Sequence, residues 1–358
     1  MRRALELAGQ GMGETNPNPL VGCVIAHGNR IVGEGFHARA GGPHAEVVAL
    51  REAAGSARGA TAYVSLEPCA HQGRTPPCAP QLVAAGLARV VVAIRDPDPR
   101  VRGRGLFALR QAGVAVDVGE CGAQARWLNR RFLTAARGGR PYVLLKAALT
   151  LDGRIATASG ESKWLTSPAQ RRAARGLRRL HDGVLVGIGT ALADDPLLLP
   201  SPRVRRPFHR IVLDSRLRLP ADGRLARSAA RQPVWVMCRP GNPRARRRLE
   251  AAGVGVMPLR GRGRLAPEQV LEALWAIGLR SLMVEGGSEV LGSFLAGRLV
   301  DEVALFRAPL LLGGRRARPA FGGPDLAKLA DALRLRTSSP PPGALPELPA
   351  GLGELWKP

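Results

Sequence analysis

His44-Ala45-Glu46 opens a stretch that closes with Glu67-Pro68-Cys69-Ala70-His71-Gln72-Gly73-Arg74-Thr75-Pro76-Pro77-Cys78. A histidine, a glutamate two residues later and two proline-preceded cysteines are the parts of a zinc site that activates water beside a proton-moving carboxylate. Catalytic zinc takes three protein ligands and keeps one position open, and His44, Cys69 and Cys78 supply the three. Glu46 shares the helical turn of His44 without being a ligand. It can take a proton from water and hand it to a departing amine. A lone histidine or cysteine is usually a cap or a loop filler. Here an H-x-E follows one strand and proline-flanked cysteines follow the next, and together they favour the metal. The chemistry implied is hydrolytic deamination at an amidine-like ring carbon.

Outward from that stretch the chain alternates strands and helices. Asn16-Pro17-Asn18-Pro19 is a turn or extended loop, because proline breaks a helix and pushes its predecessor into extended backbone. An amphipathic helix precedes it. The pattern predicts strands at 20–26 and 30–35, a helix over 43–54 opened by Pro43, a strand at 62–66 and a helix over 78–85. A strand at 89–94, a helix at 106–112, a strand at 114–118 and a helix over 125–137 complete an α/β domain. Gly138, Gly139 and Pro141 punctuate the chain and bound this first domain at residues 1–140. A second α/β domain over 141–336 restarts with a strand at 142–147. Strands at 184–187, 210–213, 234–238, 282–285 and 303–309 alternate with helices at 168–179, 244–252, 267–276 and 288–296. Residues 337–358 include SSPPPGALPELP and are expected to be weakly ordered.

The bulk numbers narrow the function. A chain of 358 residues suits two domains. No charge-free run reaches membrane-spanning length, and MRRALELAGQGMGE lacks a signal-peptide core, so a cytoplasmic protein is expected with no membrane partner. The net charge of +25 invites a nucleic-acid reading. Nearly all of it is arginine scattered along the whole length, and aromatic residues are only 4%, so clusters such as Arg203 to Arg206 and Arg244 to Arg248 lack stacking faces. A basic nucleic-acid-binding deaminase is therefore the weaker reading, since phosphorylated small molecules use the same arginines. The five cysteines are too unevenly spaced for a disulfide framework. Cys23 reads as a buried small hydrophobe, and Cys121 and Cys238 carry no motif.

Eight residues, AHQGRTPP, separate Cys69 from Cys78, where the general deaminase motif has two. That argues against a cytidine or transfer-RNA adenosine deaminase. TNPNPLVGCVI (15–25), HARAGGPHAEVVAL (37–50), VSLEPCAHQGRTPPC (64–78) and RDPDPRVRGRGLFALRQAGV (95–114) resemble the deaminase half of a bifunctional riboflavin-biosynthesis family. KAALTLDGRIATASGESKWLTS (146–167), GIGTALADDPLL (187–198), IVLDS (211–215) and VEGGSEVLGSFL (284–295) resemble its reductase half.

The resemblance implies a cytidine-deaminase-like α/β/α domain followed by a dihydrofolate-reductase-like α/β domain. It implies zinc-dependent deamination of 2,5-diamino-6-(5-phosphoribosylamino)pyrimidin-4-one, then NADPH-dependent reduction of the ribosyl C1′. One zinc per chain, NADPH and a homo-oligomer joined through the reductase domain are expected. By motif position His44, Cys69 and Cys78 hold zinc and Glu46 shuttles protons, while Asn18 and His71 are candidates to touch the pyrimidine or its phosphate. NADPH is expected on Ala148, Trp164, Thr190, Asp194, Ser215 and the loop Gly287, Ser288, Glu289, Val290, Leu291, Gly292 and Ser293. Substrate is expected at Ser162, Arg178, Leu198, Arg203 and Glu285, with Arg178 gripping the ribose phosphate. Lys146, Asp152 and Glu285 are unranked candidates for the acid or charge beside C1′. Gly286-Gly287-Ser288 follows a strand and opens a helix, a place for phosphate. The DDPLLLPSPRVRR segment and the Pro-rich tail depart from the family pattern. They leave a second reading open, an active deaminase whose reductase-like domain is not catalytic.

Overall fold

The computed structural model describes residues 1–73 and 76–358; Arg74 and Thr75 of the cysteine loop lie outside the described residues. The chain divides into two units, one of 1–139 with 340–346 and one of 140–339 with 347–358.

The first unit contains α1 (Arg2–Gln10), β1 (Gly22–His27), β2 (Arg30–Phe36), α2 (Ala45–Ala53), β3 (Thr61–Val64), α3 (Cys78–Ala84), β4 (Arg89–Val92), α4 (Arg104–Gln111), β5 (Ala115–Val118), α5 (Gly122–Leu128) and α6 (Arg130–Gly138). Its five-stranded sheet has the order β2-β1-β3-β4-β5. β1 is antiparallel to both β2 and β3, and β3, β4 and β5 run parallel. Alanines let α2 lie unusually close to the sheet, and the strand beneath it has to be bare. A Cβ on Gly35 would sit 2.5 Å from the Ala45 carbonyl oxygen, and one on Gly33 2.2 Å from that of Ala49. Ala45, Ala49, Ile25, Val64, Leu82, Val92 and Leu106 close the core around that contact. It fixes the height and tilt of the helix whose first turn carries Glu46.

The single helix expected over 125–137 is broken at Asn129. The buried Asn129 side chain accepts from the Leu20 amide (2.8 Å) and donates to the Leu20 carbonyl (2.9 Å), so it serves the loop after Pro19. Residues 337–358, read from the sequence as a weakly ordered tail, are shared between the units. Trp127 Nε1 donates to the Leu345 carbonyl (3.2 Å), Gln124 Nε2 donates to that of Pro342 (3.0 Å), and the Leu345 side chain lies over Gly9.

The second unit contains β6 (Tyr142–Thr150), β7 (Arg154–Ala156), α7 (Pro168–Arg178), β8 (Gly183–Gly187), α8 (Ile188–Asp194), β9 (His209–Leu213), α9 (Arg224–Arg227), β10 (Val234–Cys238), α10 (Pro243–Ala251), β11 (Gly255–Pro258), α11 (Pro267–Ala276), β12 (Ser281–Val284), α12 (Ser288–Ala296), β13 (Glu302–Ala308), β14 (Arg318–Pro319), β15 (Arg336–Thr337) and β16 (Glu354–Lys357). The main sheet has the order β11-β10-β9-β8-β12-β6-β13-β16-β15. β11 through β13 run parallel, and the tail strand β16 pairs antiparallel with β13. Both faces of the parallel strands are covered, so Val143, Leu145, Leu185, Ile211, Leu282 and Val284 read as continuous apolar runs in the core.

After β8 the chain moves to β9 on one side, and after β12 it moves past β6 to β13 on the other. Such a reversal between neighbouring parallel strands opens a crevice beyond their carboxyl ends. α7 borders it, started by a Ser167 and Gln170 capping box and by Pro168.

Candidate active sites

In the first unit His44 caps α2 with extended backbone (φ −75°, ψ 159°). Cys78 begins α3, and its amide points at the Cys69 sulfur (3.4 Å). Nδ1 of His44 is 3.2 Å from Cys78 Sγ and 3.6 Å from Cys69 Sγ. All three ligand atoms lie within 4.8 Å of one another, the one such cluster found among the described residues. Zinc bonds of about 2.3 Å to sulfur and 2.0–2.1 Å to nitrogen separate tetrahedral ligand atoms by roughly 3.5–3.8 Å. The three residues therefore fit a zinc ion with little movement, and an imidazole with two thiolates is a donor set that zinc favours.

The electrostatics agree with a metal site. A hydrogen bond from Cys78, and then His44, hold the Cys69 thiol down at about 4, while the same contact and burial push Cys78 up. Metal binding would take both sulfurs as thiolates and release their protons. Glu46 is 3% exposed, and burial raises its carboxyl above the usual range. His37, absent from the sequence-based candidates, stands edge-on to His44 with ring centroids 5.6 Å apart. Its Nδ1 lies 3.0 Å from the Pro43 carbonyl, which can only accept, so Nδ1 carries the proton and Nε2 accepts from Asn18 Nδ2 (3.1 Å). The amide of Asn18 is thereby oriented, with Oδ1 its remaining acceptor. His71 is half-buried beyond Cys69, and its Nδ1 has no partner among the described residues.

In the second unit the crevice is lined by charge. Glu285 follows β12 and takes a two-pronged ion pair from Arg178, Nε to Oε1 at 2.5 Å and Nη2 to Oε2 at 2.9 Å. Arg178 Nη1 donates to the Leu199 carbonyl (2.9 Å), and Lys146 Nζ stands 3.9 Å from Glu285. Burial pushes the Glu285 carboxyl up, but Arg178 and Lys146 outweigh it and hold it below the ordinary range. Burial lowers the Lys146 ammonium. Asp152 belongs to another structure. It accepts from Thr150 Oγ1 (2.6 Å) and from the amides of Gly313 (2.8 Å) and Leu312 (3.2 Å), and the Thr150 bond and then the Gly313 amide bring its pKa down to about 2.

The remaining expected residues divide by position. α12 starts at Gly287 without a side-chain cap, so its first amides are open to an anion. Thr190 on α8 points its hydroxyl to the Gly286 carbonyl (3.5 Å), bringing the starts of α8 and α12 together. A Cβ on Gly287 would meet only Thr190 Oγ1, at 3.5 Å, so the backbone there is approachable. Two helix starts brought together in this way suit a phosphate group. Ala148 lies on β6 opposite Phe306, and Ser215 follows β9. Asp194 ends α8 and pairs with Lys163 (3.0 Å); the neighbouring Trp164 is 69% exposed beneath Arg171 (4.5 Å), and Ser162 is exposed in the same loop.

Within the 287–293 segment Leu291 and Gly292 are buried, and a Cβ on Gly292 would lie 1.7 Å from the Gly322 carbonyl oxygen. Glu289 pairs with Arg264, Val290 packs against the core, and Ser293 Oγ donates to the Val290 carbonyl (2.8 Å). The amides of Ser288 and Glu289 remain for a ligand. Leu198 is buried with φ +54°. Arg203 lines a cavity of about 170 Å³ with Leu197, Leu199, Val204 and Arg210, and the Leu199 carbonyl is also the acceptor of Arg178 Nη1. The sequence had grouped it with Arg178 and Glu285. Arg210, wholly buried, anchors the neighbouring loop by donating to the carbonyls of Leu197 (3.2 Å), Ser228 (3.0 Å) and Gln232 (2.5 Å).

Comparison with known proteins joins the two sites. Residues 1–94 match the cytidine and deoxycytidylate deaminase zinc-binding region, and residues 141–340 match the RibD C-terminal domain. The riboflavin biosynthesis protein RibD of Escherichia coli is 44% identical over 350 residues, covering 94% of each chain. That of Aquifex aeolicus is 44% identical over 338 residues, 94% of this chain and 92% of its own. Among solved structures, Acinetobacter baumannii RibD (form 1) is 40% identical with a TM-score of 0.86 over 100% of this chain and 97% of its own. A diaminohydroxyphosphoribosylaminopyrimidine deaminase/5-amino-6-(5-phosphoribosylamino)uracil reductase from Thermotoga maritima is 32% identical, with a TM-score of 0.85 over the same shares. Both domain families are present, which disfavours the reading of a deaminase with a degenerate reductase. No helix among the described residues is long and apolar enough to cross a membrane. With a zinc-dependent deaminase unit followed by an NADPH-dependent reductase unit, the chain belongs to the RibD family of bifunctional riboflavin-biosynthesis enzymes.

Proposed function

We propose that the first unit deaminates 2,5-diamino-6-(5-phosphoribosylamino)pyrimidin-4-one and that the second reduces the ribosyl C1′ of the product to give 5-amino-6-(5-phosphoribitylamino)uracil. The observation that carries the reading is the buried Glu46 two residues after the His44 cap of a His-Cys-Cys cluster. Zinc bound there by His44, Cys69 and Cys78 supplies the Lewis acidity that makes water a nucleophile near neutral pH. Glu46, its proton affinity raised by burial, accepts the proton of the attacking water and delivers it to the leaving amine. Asn18, oriented by His37, offers its carbonyl oxygen to an amino group of the pyrimidine, and His71 offers its ring beyond Cys69.

In the second unit NADPH supplies the hydride. The amides that open α12, with Thr190, take a cofactor phosphate; Ala148, Trp164, Asp194 and Ser215 border the rest of its path. Ser162, Leu198 and Glu285 bound the substrate. Among the three candidates for the acid beside C1′, Lys146 fits best. It is half-buried with a lowered pKa, so it gives up a proton more readily than an exposed lysine, whereas Glu285 is held ionised and Asp152 is spent on the turn before β7. A cytoplasmic enzyme, assembled as a homodimer through the reductase unit, completes the proposal.

A coupled assay tests it. The diaminopyrimidine substrate with NADPH should show ammonia release first and absorbance loss at 340 nm only afterwards, with about one zinc per chain. NADPH oxidation on the undeaminated pyrimidine at the rate of its product would overturn the order, and metal-free protein with full deamination would overturn the zinc assignment. Sizing and light scattering check the dimer.

A further inference from the structure

Resting on the reading of Asn18 above, we infer that Asn129 is a positioning residue of the deaminase, whose side chain sets the loop through which Asn18 meets the pyrimidine. β1 and β3 run antiparallel with Cys23 opposite Val64. The pairing continues one residue further, where the Ser65 amide donates to the Gly22 carbonyl (3.1 Å) and Ser65 Oγ accepts from the Gly22 amide (3.0 Å). By the same register Leu20 would face Glu67. Glu67 has left that ladder. Its amide donates to the Ile94 carbonyl (3.0 Å), two residues before the ligand Cys69. The strand that carries a metal ligand out of the sheet thus leaves Leu20 without a strand partner. Asn129, 2% exposed, takes the place of one, with Oδ1 accepting from the Leu20 amide (2.8 Å) and Nδ2 donating to the Leu20 carbonyl (2.9 Å). A carboxamide can do this because it presents one acceptor and one donor side by side, as the edge of a strand does.

Leu20 lies between the two attachments of His37. Two residues earlier, Asn18 Nδ2 donates to His37 Nε2 (3.1 Å); one residue later, the Val21 carbonyl accepts from the His37 amide (2.9 Å). Pro17 and Pro19 have no N–H, and the Asn18 amide turns inward to the Thr15 carbonyl (2.8 Å). Among residues 17 to 20, only the Leu20 amide reaches outside the loop, and it reaches Asn129. Beyond His37 the path ends at Pro43, whose carbonyl lies 3.0 Å from Nδ1, next to the ligand His44. The hydrogen bonds of Asn129 itself go to Leu20, Ala125 and Leu133, so none reaches a metal ligand or Glu46. Its loss should therefore disturb how the pyrimidine is held and leave the metal and the proton carrier in place.

The test is a double-mutant cycle on deamination in the full zinc-loaded chain, with Asn129→Leu, Asn18→Ala and the two combined, and with Asn129→Asp beside them. Asn129→Leu should raise KM for the diaminopyrimidine on the order of 10-fold with kcat much less affected. Zinc should remain at about one per chain, which checks the folding of the first unit, and the reductase rate on deaminated intermediate should not change. On the Asn18→Ala background the same substitution should cost less than about 3-fold, because the group it positions is gone. Asn129→Asp keeps the acceptor and loses the donor. Its deficit against wild type should shrink on acidification, since a protonated carboxyl again donates to the Leu20 carbonyl. If the costs of Asn129→Leu and Asn18→Ala multiply as for independent sites, or if activity falls only in step with lost zinc, the assignment is overturned. If Asn18→Ala alone leaves KM unchanged, the reading of Asn18 fails and the assignment with it.

Discussion

The two units solve the problem of placing a reactive group in opposite ways. The deaminase site comes from residues 44 to 78, where a helix cap, a loop and a helix start bring three soft ligands and one carboxylate together. The reductase crevice draws Lys146, Arg178 and Glu285 from β6, α7 and the end of β12, and holds them by ion pairs across long stretches of sequence. A site built on a local motif is sensitive to the backbone that carries the motif. A site built on a buried charge balance is sensitive to any change in that balance, because an unmatched buried charge costs more than its partner contributed.

Four substitutions probe that contrast. The largest effect is expected from Glu46→Gln, which keeps the shape and removes the base. Deamination should fall by about 10²- to 10⁴-fold, with zinc still bound by metal analysis and the reductase rate on deaminated substrate unchanged. Retained deamination would remove Glu46 from the chemistry. Arg178→Ala comes next, with a reductase loss on the order of 100-fold. Its pH profile carries the sharper information. Arg178 and Lys146 now hold Glu285 below its ordinary range, so it stays ionised as pH falls. Without Arg178, burial raises that pKa. The variant should then lose activity on acidification from about pH 7 to 5 while the wild type stays level, and parallel profiles would break the charge-balance account.

Gly35→Ala tests the other half of the comparison. The added Cβ would lie 2.5 Å from the Ala45 carbonyl oxygen and push on α2. A stability loss of about 1–3 kcal/mol in urea unfolding should come with weaker zinc retention against a chelator, although Gly35 touches no ligand. Unchanged zinc retention would show that the motif tolerates movement of its backbone. The smallest effect belongs to Trp127→Phe, which removes the donor to the Leu345 carbonyl. About 1 kcal/mol should be lost, read as a lower melting temperature.

What was legible from the sequence follows the same divide. The His44, Glu46, Cys69 and Cys78 pattern announces itself because chemistry fixes residue type and the fold fixes spacing over a short span. The five strands of the first sheet and the six central strands of the second, β6, β8, β9, β10, β12 and β13, were legible; β11 at the edge was not. The break at Asn129 was not, since no proline or glycine marks it and its cause is Leu20, far away in the chain. α8 hid in GIGTALAD, whose two glycines resemble a turn, and β16 is only four residues beyond a run of prolines. The roles of the arginines were least legible of all. Sequence grouped Arg203 with Arg178 by motif position alone; in the fold Arg203 shares with Arg210 and Arg231 a cavity whose wall includes Leu199, the backbone acceptor of Arg178. In a chain with 53 lysines and arginines, only the carboxylate each one faces tells one cation from another.

The path of the last residues has a practical meaning for anyone wishing to separate the two activities. Residues 340–346 complete the first unit, and 347–358 return to the second as β16. A single cut after residue 139 therefore leaves the first unit incomplete, while the second keeps all its residues with the heptapeptide still attached. The amino-terminal fragment loses the backbone acceptors of Gln124 and Trp127 and the cover over Gly9. A gene coding for the deaminase alone would have to invent a replacement for a heptapeptide that this chain encodes two hundred residues downstream.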